Sequence, residues 1–504
     1  MTAPGRGEGD MNKAIKQEPL QVQAYFLPPG IEADVTVAAR FDTPDGPAEL
    51  LVPALNEDKL RSIADELKRR REEYLASLTT ADVVERIAAA AERWLDPAYP
   101  HRQLAERLLP GLTGYAADSI RLQLKRYMRT FRKKELLRFI GEELDDPLML
   151  DEFRPRKSGG FSRAYGPELI FHVFSGNVPG VSLWSLAMGL VARSAQLGKT
   201  SLAEPLMAVL FARSLAEIDP RLAEAIAIVP WKGGSRELES AAIASADAVV
   251  VYGGGGTVES VRAIVPAGKR FVAYGPKASV ALIGREALTP DRLNGTVARL
   301  AADIAHYDQQ SCMSPHCVYV EEGGSVDARS FAAYAAAELG RLQLRWPRSA
   351  LTDSEAYAIH DVRNRYWLEE AEGGGAAVYA SPGGTDWTVI YRDVPGFDVS
   401  PLNRTLVVYR CRSLEDDAVP ALASCGREGL LQTCGVAVHP QRLFGMAERL
   451  GRIGANRLCP LGTMLQAKAG WHHDGRFNLI DLLRFADIER GTEDDAEQYD
   501  PDFE

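Results

Sequence analysis

The segment from residue 168 to 281 constrains the fold most, because short apolar runs alternate there with helical ones. Leu169-Ile170-Phe171-His172-Val173-Phe174 has the apolar character of a strand buried on both faces, and 178–192 reads as a helix. Residues 204–218 then read as helix, 223–229 as strand, 235–245 as helix, 248–252 as strand, 257–265 as helix and 270–274 as strand. Such alternation predicts a parallel sheet covered by helices on both faces. Sheets of this kind bind ligands beyond the carboxyl ends of their strands. One of those ends carries Gly253-Gly254-Gly255-Gly256, followed by Thr257 and a helix. Glycine lets backbone amides approach a phosphate and a helix N-terminus adds partial positive charge, so the loop suits a pyrophosphate. It departs from the strict dinucleotide fingerprint, which wants a glycine where Val258 stands, and a merely flexible turn is the alternative reading. Gly198-Lys199-Thr200 imitates the end of a P-loop, but the first glycine of that motif would fall at Arg193, which argues against an ATPase.

Cys312 lies in Tyr307-Asp308-Gln309-Gln310-Ser311-Cys312-Met313-Ser314-Pro315, between a helical stretch and the apolar run Cys317-Val318-Tyr319-Val320. A thiol in a polar loop at such a join is placed to face a cleft. The competing reading is an inert buried thiol, the ordinary fate of a free cysteine. His316 is a candidate base beside it, with a structural histidine as the alternative. Trp471-His472-His473-Asp474-Gly475 invites an acid–base or metal reading, but it lacks a second ligand cluster. Cys312, His316 and Cys317 also lack the paired Cys-x-x-Cys spacing of a structural zinc site, so no metal is expected.

The chain has 504 residues, 46% hydrophobic and 25% charged, which fits two or three globular domains. A formal net charge of -11 argues against a general nucleic-acid binder. Six cysteines in so long a chain do not make a disulfide framework, and no apolar signal segment precedes residue 18, so a reducing cytoplasm is expected. The longest apolar stretch, 178–192, is too short to span a bilayer. Residues 57–144 are amphipathic and helical, with Leu60, Ile63 and Leu67 on one face and basic clusters read as solvated. The expected organisation is a disordered tail over 1–20, a helical region with a dinucleotide-binding domain over 21–288, a catalytic domain with Cys312 over 289–445, a C-terminal segment over 446–490 and an acidic tail over 491–504.

Four motifs carry a family resemblance when taken in order: Phe174-Ser175-Gly176-Asn177-Val178-Pro179-Gly180, Val251-Tyr252-Gly253-Gly254-Gly255-Gly256-Thr257, Gln309-Gln310-Ser311-Cys312-Met313-Ser314-Pro315 and Trp471-His472-His473-Asp474-Gly475-Arg476. Together they resemble the LuxC-type acyl-CoA reductases, the reductase subunits of the bacterial luminescence fatty-acid reductase complex, within the aldehyde dehydrogenase superfamily. The resemblance implies an α/β, aldehyde dehydrogenase-like fold with a doubly wound parallel-sheet cofactor domain and an α/β catalytic domain. It implies Cys312 as nucleophile and Asn177 as donor to the oxyanion, a donor whose loss costs on the order of a hundredfold in rate. Ser175, Gly253, Gly254, Gly255, Gly256 and Thr257 are the implied cofactor contacts, and Lys199 the lysine reaching the adenosine ribose; read alone, Lys199 is a surface lysine.

Departures from the superfamily pattern refine these expectations. The glutamate of Glu-Leu-Gly-Gly-Lys that activates water in hydrolytic aldehyde dehydrogenases has no counterpart in Ala273-Tyr274-Gly275-Pro276-Lys277. An acyl-cysteine would therefore persist until hydride or another thiol reaches it. The acid that usually holds the nicotinamide ribose aligns with Ser400, and the carboxylate three residues after the ribose lysine is replaced by Leu202. Without that carboxylate there is no like-charge penalty on a 2′-phosphate, which favours NADPH over NADH. The expected activity is NADPH-dependent reduction of an acyl thioester, acyl-CoA and fatty acyl above all, to the aldehyde. The alternatives are a CoA-acylating aldehyde dehydrogenase working oxidatively and a non-catalytic acyl-binding protein. The resemblance also implies an acyl donor on CoA, a carrier or a ligase, an acyl-protein synthetase partner, and a homo-oligomer with contacts near 456–490.

Overall fold

The computed structural model describes residues 18–499; the expected N-terminal tail through residue 17 and the end of the acidic tail, 500–504, lie outside the described residues. Five strands form an all-parallel sheet in the order Arg270–Tyr274, Ala248–Tyr252, Leu169–Val173, Ala195–Thr200, Ile226–Pro230. Alternate residues feed two cores. Phe171, Leu197 and Val249 pack with Leu60, Ile63 and Leu67 of the helix Glu57–Glu73 on one face. Ile170, Ile228 and Val250 pack with the helices Val181–Val191 and Leu206–Ile218 on the other. The sheet is thus doubly wound, as two-sided burial of apolar strands requires.

The sequence reading missed the strand Ala195–Thr200, and the reason is physical. Its sequence, AQLGKT, carries polar residues where a buried strand normally has apolar ones. Gln196 is buried but bonded, its Oε1 lying 2.6 Å from His172 Nε2, while His172 Nδ1 meets Ser185 Oγ at 2.8 Å. Satisfied polar groups survive in a core, so polarity there does not exclude a strand. Gly198, part of the apparent P-loop, is required by packing: a Cβ there would meet Phe174 and Ile228 at 2.7 Å. The predicted strand at 223–229 resolves into a helical turn, Pro220–Ala223, followed by Ile226–Pro230.

From the central strand Leu169–Val173 the chain builds two strands to one side, then returns to add Ala248–Tyr252 on the other. That reversal is the topological switch point where α/β sheets open a crevice. It brings Ser175 and Asn177 beside Gly253 and Gly254 in the lining of one cavity.

A second sheet has seven strands in the order Ala376–Ala380, Thr388–Arg392, Thr405–Cys411, Pro315–Glu321, Ala278–Ile283, Leu431–Ala437, Arg457–Pro460. All neighbours are parallel except the first pair. This sheet draws in Ala278–Ile283, ahead of residue 289, and Arg457–Pro460, beyond residue 445. Only Gly275, Pro276 and Lys277 separate Arg270–Tyr274 of the first sheet from Ala278–Ile283 of the second. So short a link sets the carboxyl edge of one sheet against the amino edge of the other. Cys312, just before Pro315–Glu321, sits at that same amino edge. The chain returns at its end to pair Arg484–Ile488 with Phe161–Tyr165.

Two unusual backbone segments clamp the Cys312 loop. Tyr307, Asp308 and Gln309 have φ of 52°, 48° and 68°, and Leu402, Asn403 and Arg404 have 61°, 53° and 62°. Left-handed residues other than glycine cost roughly 1–3 kcal/mol each and persist only where surroundings enforce them. The enforcing contacts run between the segments. Arg404 and Asp308 form a fully buried ion pair, 2.6 Å apart. Gln309 donates to the carbonyls of Pro315 and Thr405 and accepts from Thr405 N–H, while Gln310 donates to Asn403 Oδ1 at 3.0 Å. Ser349 donates twice to the second Asp308 oxygen. Asp308→Ala leaves the guanidinium buried without its counter-charge, which is expected to cost about 3–5 kcal/mol of stability. The check is the denaturant midpoint of the transition reporting this domain; an unmoved midpoint would count against the clamp.

Candidate active site

Cys312 is half-buried, whereas Cys317, Cys411, Cys425, Cys434 and Cys459 are all buried and none forms a disulfide. The position of its loop is fixed from several sides. Ser279 Oγ donates to the Cys312 carbonyl at 2.7 Å while accepting from Thr433 N–H at 3.2 Å, which ties the loop to two strands of the second sheet. Asn177 Nδ2 donates to the Gln310 carbonyl at 2.9 Å, and the Asn177 carbonyl accepts from Tyr115 at 2.7 Å. An exposed amide is thereby held two residues from the thiol.

Cys312 and Asn177 line a cavity of about 1290 Å³ together with Ser175, Gly253 and Gly254. That exceeds the usual range of roughly 300–1,000 Å³ for a small-molecule pocket, leaving room for more than one ligand. Much of the wall is apolar or aromatic: Tyr127, Phe139, Trp184, Met188, Tyr252 and Trp471. The one carboxylate among the lining residues is Glu135, and it is paired with Arg138. At the stretch aligned with the hydrolytic glutamate stands Tyr274, stacked between Tyr252 and His473 at centroid distances of 4.6 and 4.3 Å.

The helix Gly255–Arg262 begins within the glycine run and has no side-chain cap, so two of the four glycines form its first turn. A Cβ on Gly254 or Gly256 would meet nothing within 4 Å. An uncapped helix start below open space has the backbone amides and the room that a pyrophosphate needs. Thr257 is exposed in the same turn. Gly255, Gly256, Thr257 and Lys199 are not in the lining of the Cys312 cavity. Lys199 is 8% exposed at the carboxyl end of its strand, and burial lowers its ammonium pKa against the opposing charge of Glu239. Glu204 does not take the place of the missing ribose carboxylate. It is buried, raised to about 7 by burial, and turned inward to accept from the N–H groups of Leu206 and Met207. The carboxylate that does stand near Lys199 is Glu239, buried and accepting from Gly234 N–H at 3.1 Å.

Burial pushes the Cys312 thiol up to about 11, with Asp474 adding to the rise and a hydrogen bond from Gln432 and the charge of Lys277 opposing it. The suggestion of His316 as base is corrected: burial drops it to about 4 and its Nδ1 accepts from Ser400 N–H at 3.2 Å, so it is neutral and engaged elsewhere. Ser400 is likewise spent on the Thr405 carbonyl at 2.5 Å. Sequence reasoning missed Ser279, Gln432 and Arg457. Arg457 lines the cavity, donates to the carbonyls of Thr463, Met464 and Gln466 and lies 5.5 Å from the Trp471 ring. Each stands on or beside a strand without a motif of its own, and only the pairing of Ala278–Ile283 with its neighbours reveals them. Among the described residues no cluster of three or more His, Cys, Asp or Glu side chains is arranged to hold a metal, and no helix is long and apolar enough to cross a membrane.

Comparison with known proteins adds to this geometry. The chain is similar to a long-chain acyl-protein thioester reductase of Vibrio harveyi, 23% identical over 424 residues that cover 83% of this chain and 84% of that protein. It is similar to the protein of the same name from Photobacterium phosphoreum, 23% identical over 445 residues, 87% and 86% of the two chains. Among solved structures, aldehyde dehydrogenase 21 of Physcomitrella patens superposes with a TM-score of 0.67 at 14% identity, covering 94% of this chain and 99% of that one. Aldehyde dehydrogenase C of Pseudomonas syringae, a mutant solved with NAD+ and octanal, gives 0.66 at 15% identity over 92% and 96%. The fold is that of the aldehyde dehydrogenases. The model of the acyl-CoA reductase (LuxC) family matches residues 75–485, and the chain belongs to that family.

Proposed function

We propose that the protein reduces an acyl thioester to an aldehyde with NADPH, through an acyl intermediate on Cys312. The observation that carries this reading is a half-buried cysteine lining a large, largely apolar cavity whose lining offers no free carboxylate to activate water. The relatives' printed name, long-chain acyl-protein thioester reductase, supports it.

In the first half-reaction the Cys312 sulfur attacks the thioester carbon. Asn177 and the Cys312 N–H stabilise the oxyanion; the bond to the donor sulfur breaks, and the donor leaves as a thiol with the proton that Cys312 gave up. When bound, a reduced nicotinamide would supply hydride to the acyl-cysteine carbon, taking it to the thiohemiacetal level with its oxyanion held by Asn177 and the Cys312 N–H. Collapse then breaks the carbon–sulfur bond, returning the electron pair to Cys312 and freeing the aldehyde. Cysteine suits both steps because it is nucleophile and leaving group. Tyr127, Trp184 and Met188 provide apolar surface for a long acyl chain. The uncapped start of Gly255–Arg262 would hold the pyrophosphate, and Lys199 the adenosine ribose.

Intact-protein mass spectrometry tests the first half-reaction. Incubation with a series of acyl-CoAs is expected to add the acyl mass to wild type and not to Cys312→Ala, and NADPH is expected to discharge it with release of aldehyde. Asn177→Ala is expected to slow acylation by about a hundredfold. Persistence of the adduct in Cys312→Ala would sink the mechanism. Absence of any adduct from acyl-CoA, with acylation from a carrier or synthetase, would move the donor and keep the chemistry.

The raised thiol sets a pH dependence. Because the thiolate reacts, labelling of Cys312 by iodoacetamide in the free protein is expected to climb steadily through the neutral and mildly alkaline range, toward a midpoint of about 11. A plateau already reached at neutral pH contradicts it.

Cofactor choice rests on Leu202 and on the inward turn of Glu204. Leu202→Glu is expected to cut the preference for NADPH over NADH, as the ratio of kcat/KM values, by about tenfold or ~1.4 kcal/mol. An unchanged ratio would remove Leu202 from cofactor selection.

A further inference from the structure

Residues 461–471 leave the edge strand Arg457–Pro460 without joining another strand or a helix, and Thr463 and 465–471 line the cavity of Cys312. A wall made of such a segment has no hydrogen-bonded ladder to hold its shape, so side chains must bond its peptide groups. Two charged residues do this, one for the N–H groups and one for the carbonyls. Asp303, 2% exposed on the helix Leu293–Ala305, accepts from the N–H groups of Gly462 at 2.5 Å and Met464 at 3.1 Å. Arg457 donates to the carbonyls of Met464 at 2.6 Å and of Thr463 and Gln466 at 3.2 Å each. A guanidinium presents its donors in a planar fork, which lets one side chain span three carbonyls. Toward its far end the segment abuts the helix Lys133–Glu143: Gly470, at φ 87°, stands where a Cβ would meet Glu142 Cγ at 2.7 Å.

The same two residues tie this wall to the nucleophile. The helix that bears Asp303 leads into the Cys312 loop, and Arg457 Nη1 reaches Sδ of Met313, the residue after Cys312, at 3.6 Å. The Arg457 guanidinium also lies 5.5 Å from the centre of the Trp471 ring, at the end of the segment. The segment contributes Leu465, Ala467, Ala469 and Trp471 to the cavity lining, apolar surface against which hydrocarbon can be buried.

We infer that residues 461–471 form the wall along which the acyl chain lies, and that Arg457 and Asp303 are positioning residues that set this wall in register with Cys312 and so decide which chain lengths the site accepts. The inference rests on the reading of Cys312 as the nucleophile that takes up the acyl group. Neither positioning residue meets the reacting atoms; both act through the peptide groups they hold. A wall released from either side loses its contacts with a long chain, whereas a short chain that ends near the thiol has few such contacts to lose. Selectivity between chain lengths is therefore the property that these bonds control.

N-alkylmaleimides test this, because they alkylate Cys312 whatever the acyl donor is and bring an alkyl chain into the cavity with them. Rates of Cys312 modification by N-ethylmaleimide and N-octylmaleimide are read by peptide mass spectrometry on the full chain as wild type, Arg457→Met, Arg457→Lys and Asp303→Asn. The octyl-to-ethyl ratio is expected to fall about tenfold in Arg457→Met and Asp303→Asn, the low end of what one methylene is worth in an apolar pocket, with the ethyl rate changed far less. Arg457→Lys keeps a cation with fewer donors and is expected to fall between wild type and Arg457→Met. A ratio left as in wild type, or equal losses for both reagents, overturns the proposal, since a group that serves only folding or the thiol treats both reagents alike. Ala467→Leu leaves the Arg457 and Asp303 bonds in place and adds bulk to the wall itself. It is expected to slow the octyl reagent more than the ethyl one, and an unaltered ratio there overturns the assignment of the wall even should the other variants not fold. Aldehyde formation that survives Cys312→Ala would instead defeat the nucleophile reading, and the alkylation ratios would still report whether the segment seats an alkyl chain.

Discussion

The buried pair of Arg404 and Asp308 is the contact on which the Cys312 loop depends. Two runs of left-handed residues face each other across it, and neither is stable alone because each residue pays a steric cost of order 1–3 kcal/mol. The pair recovers that cost only because its hydrogen-bonding groups are filled: the guanidinium also donates to Gln343 Oε1 and the Trp346 carbonyl, and the carboxylate accepts from Ser349. A buried ion pair so fully bonded contributes little net stability and a good deal of geometry. The geometry it fixes is the exit from the helix Leu293–Ala305 into the loop of Cys312. Preorganisation of this kind spares the loop from ordering itself at the moment of reaction.

A second constraint is the three-residue link between the sheets. Because the chain leaves the carboxyl end of Arg270–Tyr274 and enters the amino end of Ala278–Ile283 almost at once, the glycine loop belongs to one sheet and the thiol to the other, yet both line one cavity. The division of labour is electrostatic as well as spatial. The glycine side offers uncapped helix amides suited to an anion, while burial on the cysteine side raises the pKa of the Cys312 thiol.

Much of this was legible in the sequence. Strands such as Leu169–Val173 and Ala248–Tyr252 are apolar throughout and flanked by glycine or helical periodicity, so their physics is local. Cys312 and Asn177 stand out in the sequence by loop position and surrounding motifs, and both line one cavity in the structure. The strand Ala195–Thr200 did not, since its polar residues are made tolerable only by partners from other segments, His172 above all. The same holds for Gln432 and Asp474: nothing in Leu431-Gln432-Thr433 marks a residue that bonds Asp474, because the contact arises from segments far apart in the chain. Glu204 is the opposite case, a carboxylate close in sequence to Lys199 that folding turns inward onto the N–H groups of Leu206 and Met207.

The contrast between one half-exposed cysteine and five buried ones reaches beyond catalysis. Peroxide and other oxidants attack thiolates, and they act on those that solvent reaches. Here burial raises the pKa of the Cys312 thiol, and the other five cysteines are buried. The resting protein consequently offers oxidants a poor target.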